Sequence, residues 1–267
     1  MSSATRQRRE QILADLYENG HVSVTSLAER LAVSSATVRR DLRALAAGGQ
    51  VEPVYGGASL KRNADFSFRF KSMRNVEAKR IIGSLAGGLI CDDEQVFIDS
   101  GTTSFAILPF LKQKRGVSVI TNSARLALEL DTPNVSVIML GGQYRPDRMD
   151  TIGPLATAAL DQLRGYTAFV GADGLSMEFG LAAADVESAH LYRLAVRNAR
   201  EAVLVADHTK FLSPSLCKIV DWELISRVVT DCPCLPAWSD FLRERDIETI
   251  HPQAEDRGEA DGSPQTQ

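Results

Sequence analysis

Residues 24–45 read Val24-Thr25-Ser26-Leu27-Ala28-Glu29-Arg30-Leu31-Ala32-Val33-Ser34-Ser35-Ala36-Thr37-Val38-Arg39-Arg40-Asp41-Leu42-Arg43-Ala44-Leu45. They spell a helix, a tight turn and a second helix. In the second helix Ser34 or Ser35 is a natural N-cap. At about 100° per residue, Val38, Leu42 and Leu45 fall within roughly 60° of one another, while Arg39, Arg40 and Arg43 gather on the far side beside Ala36 and Ala47. One stripe is core and the other is a basic face. Small residues at Ser35 and Ala36 let the first turn approach closely, as a helix entering a major groove roughly 12 Å wide requires. Arg39, Arg40 and Arg43, assisted by Ser35 and Thr37, are therefore the candidate contacts to double-stranded DNA. A solvated charged face is the plain alternative for such a helix taken alone.

The flanks decide between the two. Ser23 or Thr25 caps a short helix through Leu31, and Ala32-Val33-Ser34 is short enough to be the turn. Arg6 to Asn19 forms an amphipathic helix with Ile12, Leu13 and Leu16 on one side, ended by Asn19-Gly20. Gly48-Gly49 stops the second helix, and Gln50 to Glu52 followed by Val54 to Leu60 reads as two short extended pieces around glycines, a wing. Residues 1–62 carry nine Lys or Arg against six Asp or Glu, and the rest of the chain twenty-one against twenty-eight. A head of net charge +3 thus sits on a body of −7, and a basic head on an acidic body fits binding to nucleic acid.

The chain of 267 residues has room for one small and one medium domain. We expect a winged helix-turn-helix over residues 1–60, a linker over 61–75, an α/β domain over 76–251 and a disordered tail over 252–267, whose polar, acidic composition suits disorder. No run approaches the roughly 18 apolar residues of a membrane span, and the first residues lack an apolar signal core. The expected location is the cytoplasm, with no membrane partner. The four cysteines are scattered apart from Cys232-Pro233-Cys234 and lack paired metal-ligand spacing, so we expect no metal and no cofactor.

In the linker, Phe66-Ser67-Phe68-Arg69-Phe70 alternates at period two and predicts an extended segment. Beyond it, strands and helices alternate. The pattern predicts helices over Lys79–Ile90, Ser104–Leu111, Ala124–Leu130, Leu155–Leu163, Val186–Asn198 and Ala237–Glu244. Strands are expected over Gln95–Ile98, Val117–Ile120, Val135–Leu140, Thr167–Val170, Ala202–Val205 and Val228–Thr230. Such alternation implies a mainly parallel, Rossmann-like sheet covered by helices, and ligands of open α/β sheets sit at the carboxyl ends of strands.

The residues at those ends are small and polar: Asp99-Ser100-Gly101-Thr102-Thr103, Thr121-Asn122-Ser123, Gly141-Gly142, Gly171-Ala172-Asp173-Gly174 and Asp207-His208-Thr209-Lys210. Free N–H groups and hydroxyls at a helix start suit an anion such as phosphate, with Lys79 and Lys210 as counter-charge. Each loop alone is also an ordinary helix cap or turn, and Lys79 taken alone is an ordinary exposed helical lysine. Five such loops at successive strand ends favour a shared pocket.

The head, with "VTSLAERLAVSSATVRRDLRAL" and "VYGGA", resembles the N-terminal domain of DeoR-family transcriptional regulators. Pro53 and Tyr55 depart from the basic residue and His often found there, and Pro is poorly tolerated in a paired strand. The body, with "FIDSGTTS", "VITNS", "MLGGQYR", "FVGADG" and "LVADHTKF", is similar to the DeoR sensor domain, a fold like that of ribose-5-phosphate isomerase, and the likeness spans roughly residues 6–250. It implies a regulator, expected to be a repressor of carbohydrate catabolism, whose sensor takes a phosphorylated sugar or related metabolite. By that carry-over Ser100, Gly101, Thr102 and Thr103 would grip the phosphate, Asp173, Asp207 and Lys210 would face the sugar, and Lys79 matches a family lysine. A further family lysine has only a displaced counterpart here, near Arg193. Because one recognition helix gives limited contact, a homodimer or homotetramer on repeated half-sites is expected. Two readings from other classes compete with this one. One is an aldose-ketose isomerase with Asp173 or Asp207 as general base, which a winged head would not serve. The other is a nonspecific nucleoid protein, which the acidic body disfavours.

Overall fold

The computed structural model describes residues 3–19, 21–47, 51–60, 68–212 and 214–253. It divides into two compact units, residues 1–76 and 77–267.

In the first unit, α1 (Ser3–Asn19), α2 (Val24–Arg30) and α3 (Ser35–Ala47) enclose Ile12, Leu16, Leu27, Val38, Leu42 and Leu45. Ser23 caps α2 by accepting the Ser26 N–H at 3.1 Å. Ser34 caps α3 by accepting the Thr37 N–H at 3.2 Å. Between them Ala32 takes φ +51, and the Val33 N–H donates to the Ala28 carbonyl, a helix stop usually given to glycine.

The wing is a three-stranded antiparallel sheet in the order β1-β3-β2, of β1 (His21–Ser23), β2 (Val51–Val54) and β3 (Gly57–Leu60). The short strand β1 was not foreseen. Pro53 lies within β2, opposite Ala58, and β2 is an edge strand, so the missing N–H falls where no neighbour needs it. Gly57 is compulsory here: a Cβ on it would sit 1.8 Å from the Val22 carbonyl oxygen. The stops expected at Gly20 and Gly48-Gly49, the start of the wing at Gln50, and the joining residues 61–67 lie outside the described residues. The expected extended run around Phe68 is instead a short helix, α4 (Phe68–Met73), with Phe68 buried. Burying one aromatic against α1 outweighed the local alternation.

The second unit is built on a seven-stranded parallel sheet in the order β15-β14-β12-β9-β4-β5-β6. Its strands are β4 (Gln95–Ile98), β5 (Val117–Thr121), β6 (Val135–Met139), β9 (Thr167–Val170), β12 (Glu201–Val205), β14 (Arg227–Val229) and β15 (Glu248–Ile250). Helices α5 (Val76–Leu89), α8 (Ala124–Glu129), α9 (Pro154–Leu160), α10 (Val186–Asn198) and α11 (Pro236–Arg243) complete it. Strand residues alternate between two apolar clusters. Val96, Ile98, Val203 and Val205 join one, and Phe97, Ala168, Val170 and Leu204 the other. The sheet is therefore covered on both faces, which is why its strands read as continuous apolar runs.

Three departures from the simple alternation matter. The helix expected over Ser104–Leu111 is two single turns, α6 (Thr102–Phe105) and α7 (Leu108–Leu111). Pro109 has no N–H to continue a helix and sits instead in the first turn of α7. The Gly141-Gly142 segment leads into a hairpin of β7 (Gln143–Arg145) and β8 (Asp150–Ile152). Finally, β10 (Gly174–Ser176), β11 (Gly180–Ala183) and β13 (Cys217–Val220) form a separate antiparallel sheet. No helix among the described residues is long and apolar enough to cross a membrane.

Candidate functional site

On α3 the three arginines Arg39, Arg40 and Arg43 are exposed, opposite buried Val38, Leu42 and Leu45. Ser35 and Thr37 are half-buried, and the Thr37 hydroxyl lies 3.0 Å from Ser34 Oγ, inside the cap. The same helix carries a carboxylate that periodicity did not mark. Asp41 is 1% exposed and accepts Nε–H bonds from Arg8 at 2.7 Å and Arg9 at 2.8 Å. Burial pushes its carboxyl up, but the hydrogen bonds from the two guanidinium groups, and then their charges, more than reverse this and hold it below the usual range. Asp41 thus ties α3 to α1. At the turn of the wing Tyr55 is fully exposed.

In the second unit hydrogen bonds join the ends of β4, β5 and β9 with β8, while Asp173 and Asp207 are bonded within their own neighbouring segments. Asp99, buried after β4, accepts the Gly101 N–H at 2.8 Å and the Gly171 N–H at 2.6 Å, joining the ends of β4 and β9. Desolvation pushes its pKa up. At the end of β5, the Thr121 hydroxyl donates to the Ile98 carbonyl at 2.7 Å. Asn122 donates to the Thr151 carbonyl at 3.1 Å and to Ser100 Oγ at 3.4 Å. Its Oδ1 is buried with no donor among the described residues, and such an orphaned acceptor is suited to a ligand hydroxyl or an ordered water. Asp173 accepts the Ala184 N–H at 2.8 Å. Asp207, buried after β12, accepts from both the N–H and the hydroxyl of Thr209, in a 3₁₀ turn over His208–Leu212 that also carries Lys210.

Ser100 is already engaged. Its hydroxyl donates to Asp150 Oδ2 at 2.8 Å. With that proton committed, Tyr192 is the donor in the 2.9 Å contact between their hydroxyls, and Asn122 supplies a third bond. One donor and two lone pairs are all that a serine has. The Gly101 N–H is likewise taken by Asp99. The donors left toward an anion are the N–H groups of Thr102, Thr103 and Ser104, which bond to no group among the described residues. Asp150 in turn is fully buried and held in a fork by Arg145 at 2.7 and 2.8 Å. Arg145 and Arg148 both reach Asp185, the N-cap of α10. Sequence reading missed Asp150 and Tyr192, whose links to Ser100 span 50 and 92 residues, and Arg145, which pairs with Asp150 across a short hairpin that no period marks.

Lys79 on α5 is 7% exposed, so it is no solvated surface lysine. Gly141 and Gly142 lie between β6 and the β7–β8 hairpin, the former exposed and the latter half-buried. Arg193 is bound to the carbonyls of Ile219 and Lys218, which fixes α10 to β13. A cavity of about 460 Å³ lies elsewhere, lined by Cys234, Ser239, Arg243 and His251 among others, and none of the singled-out residues lines it.

Residues 8–63 match the family profile described as a DeoR-like helix-turn-helix domain, and residues 74–232 that described as the DeoR C terminal sensor domain. The chain is 32% identical over 253 residues to the HTH-type transcriptional repressor CsqR of Escherichia coli strain K12, covering 92% of this chain and 95% of that one. It is 34% identical to the lactose phosphotransferase system repressor of Lactococcus lactis subsp. lactis, over 77% of this chain and 83% of that one. Among solved structures, a D-ribose-5-phosphate isomerase in complex with phospho-erythronic acid overlaps 51% of this chain and 53% of its own, at 16% identity and a TM-score of 0.38.

Proposed function

The chain belongs to the DeoR family of DNA-binding transcriptional regulators, and on that premise we propose that it represses a carbohydrate-catabolism operon under control of a phosphorylated sugar or sugar alcohol. Relatives are named as regulators and repressors, not as enzymes, one of them for a lactose phosphotransferase system.

The observation that carries the DNA half is the exposed Arg39, Arg40, Arg43 face on a helix clamped from behind through Asp41. Guanidinium groups reach phosphates and, in bidentate fashion, the guanine edge. The effector half is supported by the strand-end group. Thr102 and Thr103 offer backbone N–H donors to a phosphate, Ser100, Gly101 and Asp99 hold that loop in shape, and Lys79 and Lys210 bring positive charge. Asn122, Thr121, Gly141, Gly142, Asp173 and Asp207 border the polyol end. The effector acts by binding one of two states of differing operator affinity more tightly, in a homodimer or homotetramer that presents paired recognition helices.

The test is binding of the full chain to DNA upstream of its own operon by gel shift, with and without a panel of sugar phosphates, alongside thermal shifts. Nanomolar binding to that DNA, relieved by one sugar phosphate that Thr102→Pro, which removes an N–H donor at the first position of α6, and Lys210→Ala no longer sense, is expected. No binding to that region in any condition sinks the proposal.

A further inference from the structure

We infer that His208, Asp231 and Cys232 form a binding site for one divalent transition-metal ion of the zinc class. The chain folds so that β12 and β14 are neighbouring parallel strands, and both loops leaving their carboxyl ends emerge side by side. One delivers His208, the other Asp231 and Cys232. An imidazole nitrogen, a carboxylate oxygen and a sulfur lie within 4.8 Å of one another, the histidine exposed and the other two half-buried. His208 Nδ1 is 2.8 Å from Asp231 Oδ2, and the other carboxylate oxygen accepts the His208 backbone N–H at 2.8 Å. The two loops are thus already pinned to each other before any ion arrives. A surface His–Asp pair alone would carry nothing; the thiol within the same radius is what makes a ligand set.

The geometry is within reach of tetrahedral coordination. With zinc–ligand distances of about 2.0 to 2.3 Å, the edges of the tetrahedron are roughly 3.3 to 3.6 Å, so the trio has to rearrange by about 1 Å, which side-chain rotation supplies on an accessible loop. The mixed N, O and S donors select zinc or cobalt over magnesium or calcium, which take oxygen ligands. Binding removes the proton from the Cys232 thiol and passes it to solvent, with the imidazole neutral and the carboxylate ionised. The fourth position stays open to water or to an oxygen of a ligand. His208 opens the same 3₁₀ turn that carries Lys210, so the ion would fasten the segment on which the proposed effector site draws. That consequence rests on the function proposed above, whereas the site itself does not.

The decisive experiment uses untagged full-length protein and no sugar. Metal content is measured by inductively coupled plasma mass spectrometry, and the stripped protein is titrated with Co²⁺ while absorbance is followed. One equivalent per chain is expected, with a thiolate-to-cobalt charge-transfer band and visible bands of tetrahedral intensity. His208→Ala and Cys232→Ser should each weaken Co²⁺ binding at least 10–100-fold, as even the loss of a supporting outer contact does. Cys234→Ser should keep the ion, and unfolding midpoints without metal show that all three variants fold. Sub-stoichiometric metal, a cobalt complex without the thiolate band, wild-type affinity in His208→Ala, or loss in Cys234→Ser as well would each overturn the site. If the ion binds as described but chelation leaves sugar-phosphate affinity unchanged, the metal site stands and its link to the effector falls.

Discussion

Replacing Asp41 with asparagine probes how the recognition helix is held. The carboxylate is 1% exposed and takes one Nε–H bond from each of Arg8 and Arg9. Asparagine keeps one acceptor oxygen but turns an NH₂ toward the second arginine, losing a bond to a charged group worth about 1.5 to 3 kcal/mol together with the attraction of a full negative charge. The arginine side chains are about one-fifth exposed, so water recovers part of that loss, and the net cost is about 2 to 3 kcal/mol. The unit is small, and the assay is amide hydrogen exchange of α1 and α3 in the full chain, which reads the opening of this unit by itself. A cost of that size speeds exchange about 30- to 150-fold, at roughly 1.4 kcal/mol per tenfold.

The effect also has a pH signature. The folded carboxyl titrates below its unfolded value of about 3.9, so its stabilisation is fully present above that value and disappears as the pH falls through the folded pKa. The ratio of variant to wild-type exchange rates, measured at equal pH so that intrinsic rates cancel, should therefore be flat above about pH 5 and shrink toward one in stronger acid. Exchange within about threefold of wild type at neutral pH would refute the clamp.

Three further outcomes follow from the same geometry. Arg40→Ala should weaken operator binding and, if it touches one phosphate, flatten the slope of log affinity against log salt by about 0.9; unchanged gel-shift affinity removes Arg40 from the interface. Gly57→Ala should separate β1 from β3, because the new Cβ meets the Val22 carbonyl oxygen at 1.8 Å, lowering the stability of the first unit by about 1 to 3 kcal/mol; exchange rates in β1 and β3 equal to wild type would contradict this. Asp150→Asn should cost the second unit about 2 to 3 kcal/mol by leaving half-buried Arg145 with one bond fewer to the buried side chain, read as a lowered unfolding midpoint in urea, and a midpoint like that of wild type would show the fork to be dispensable.

The sequence carried what is local and periodic. The apolar stripe of Val38, Leu42 and Leu45 is visible because helical spacing repeats within ten residues, and the parallel sheet because its strands are buried on both faces. Strand ends were legible for the same reason, since topology alone dictates that loops such as 99–103 and 207–210 gather on one edge. What stayed hidden is pairing across distance. β1 is three residues long and means nothing until β3 lies beside it, and Pro53 looks forbidden until β2 proves to be an edge. Phe68 sits in an alternating run, yet from Phe68 onward the chain is the helix α4, in which Phe68 is buried. Asp150 lies in a stretch without period; Arg145 meets it across the β7–β8 hairpin, while Ser100, which also holds Tyr192, reaches it from fifty residues away.

The two units share one construction, and it separates stability from placement. In each, a buried carboxylate is bound by arginine and by nothing apolar: Asp41 by Arg8 and Arg9, Asp150 by Arg145 with Ser100 as a third donor. Buried ion pairs are weak evidence for stability, because well-packed apolar residues of equal volume often do as well or better. Their directed bonds do fix register, and here each holds in place a segment proposed to bind: the exposed arginine face of α3 in one unit, the half-buried Ser100 to Thr102 loop in the other. An apolar replacement of the whole Asp150–Arg145 pair should therefore restore the folding lost in Asp150→Asn without restoring sugar-phosphate binding, since Ser100 would have lost the acceptor that orients its loop. Recovery of both together would mean that the fork contributes only cohesion, and that the loop finds its shape from Asp99 alone.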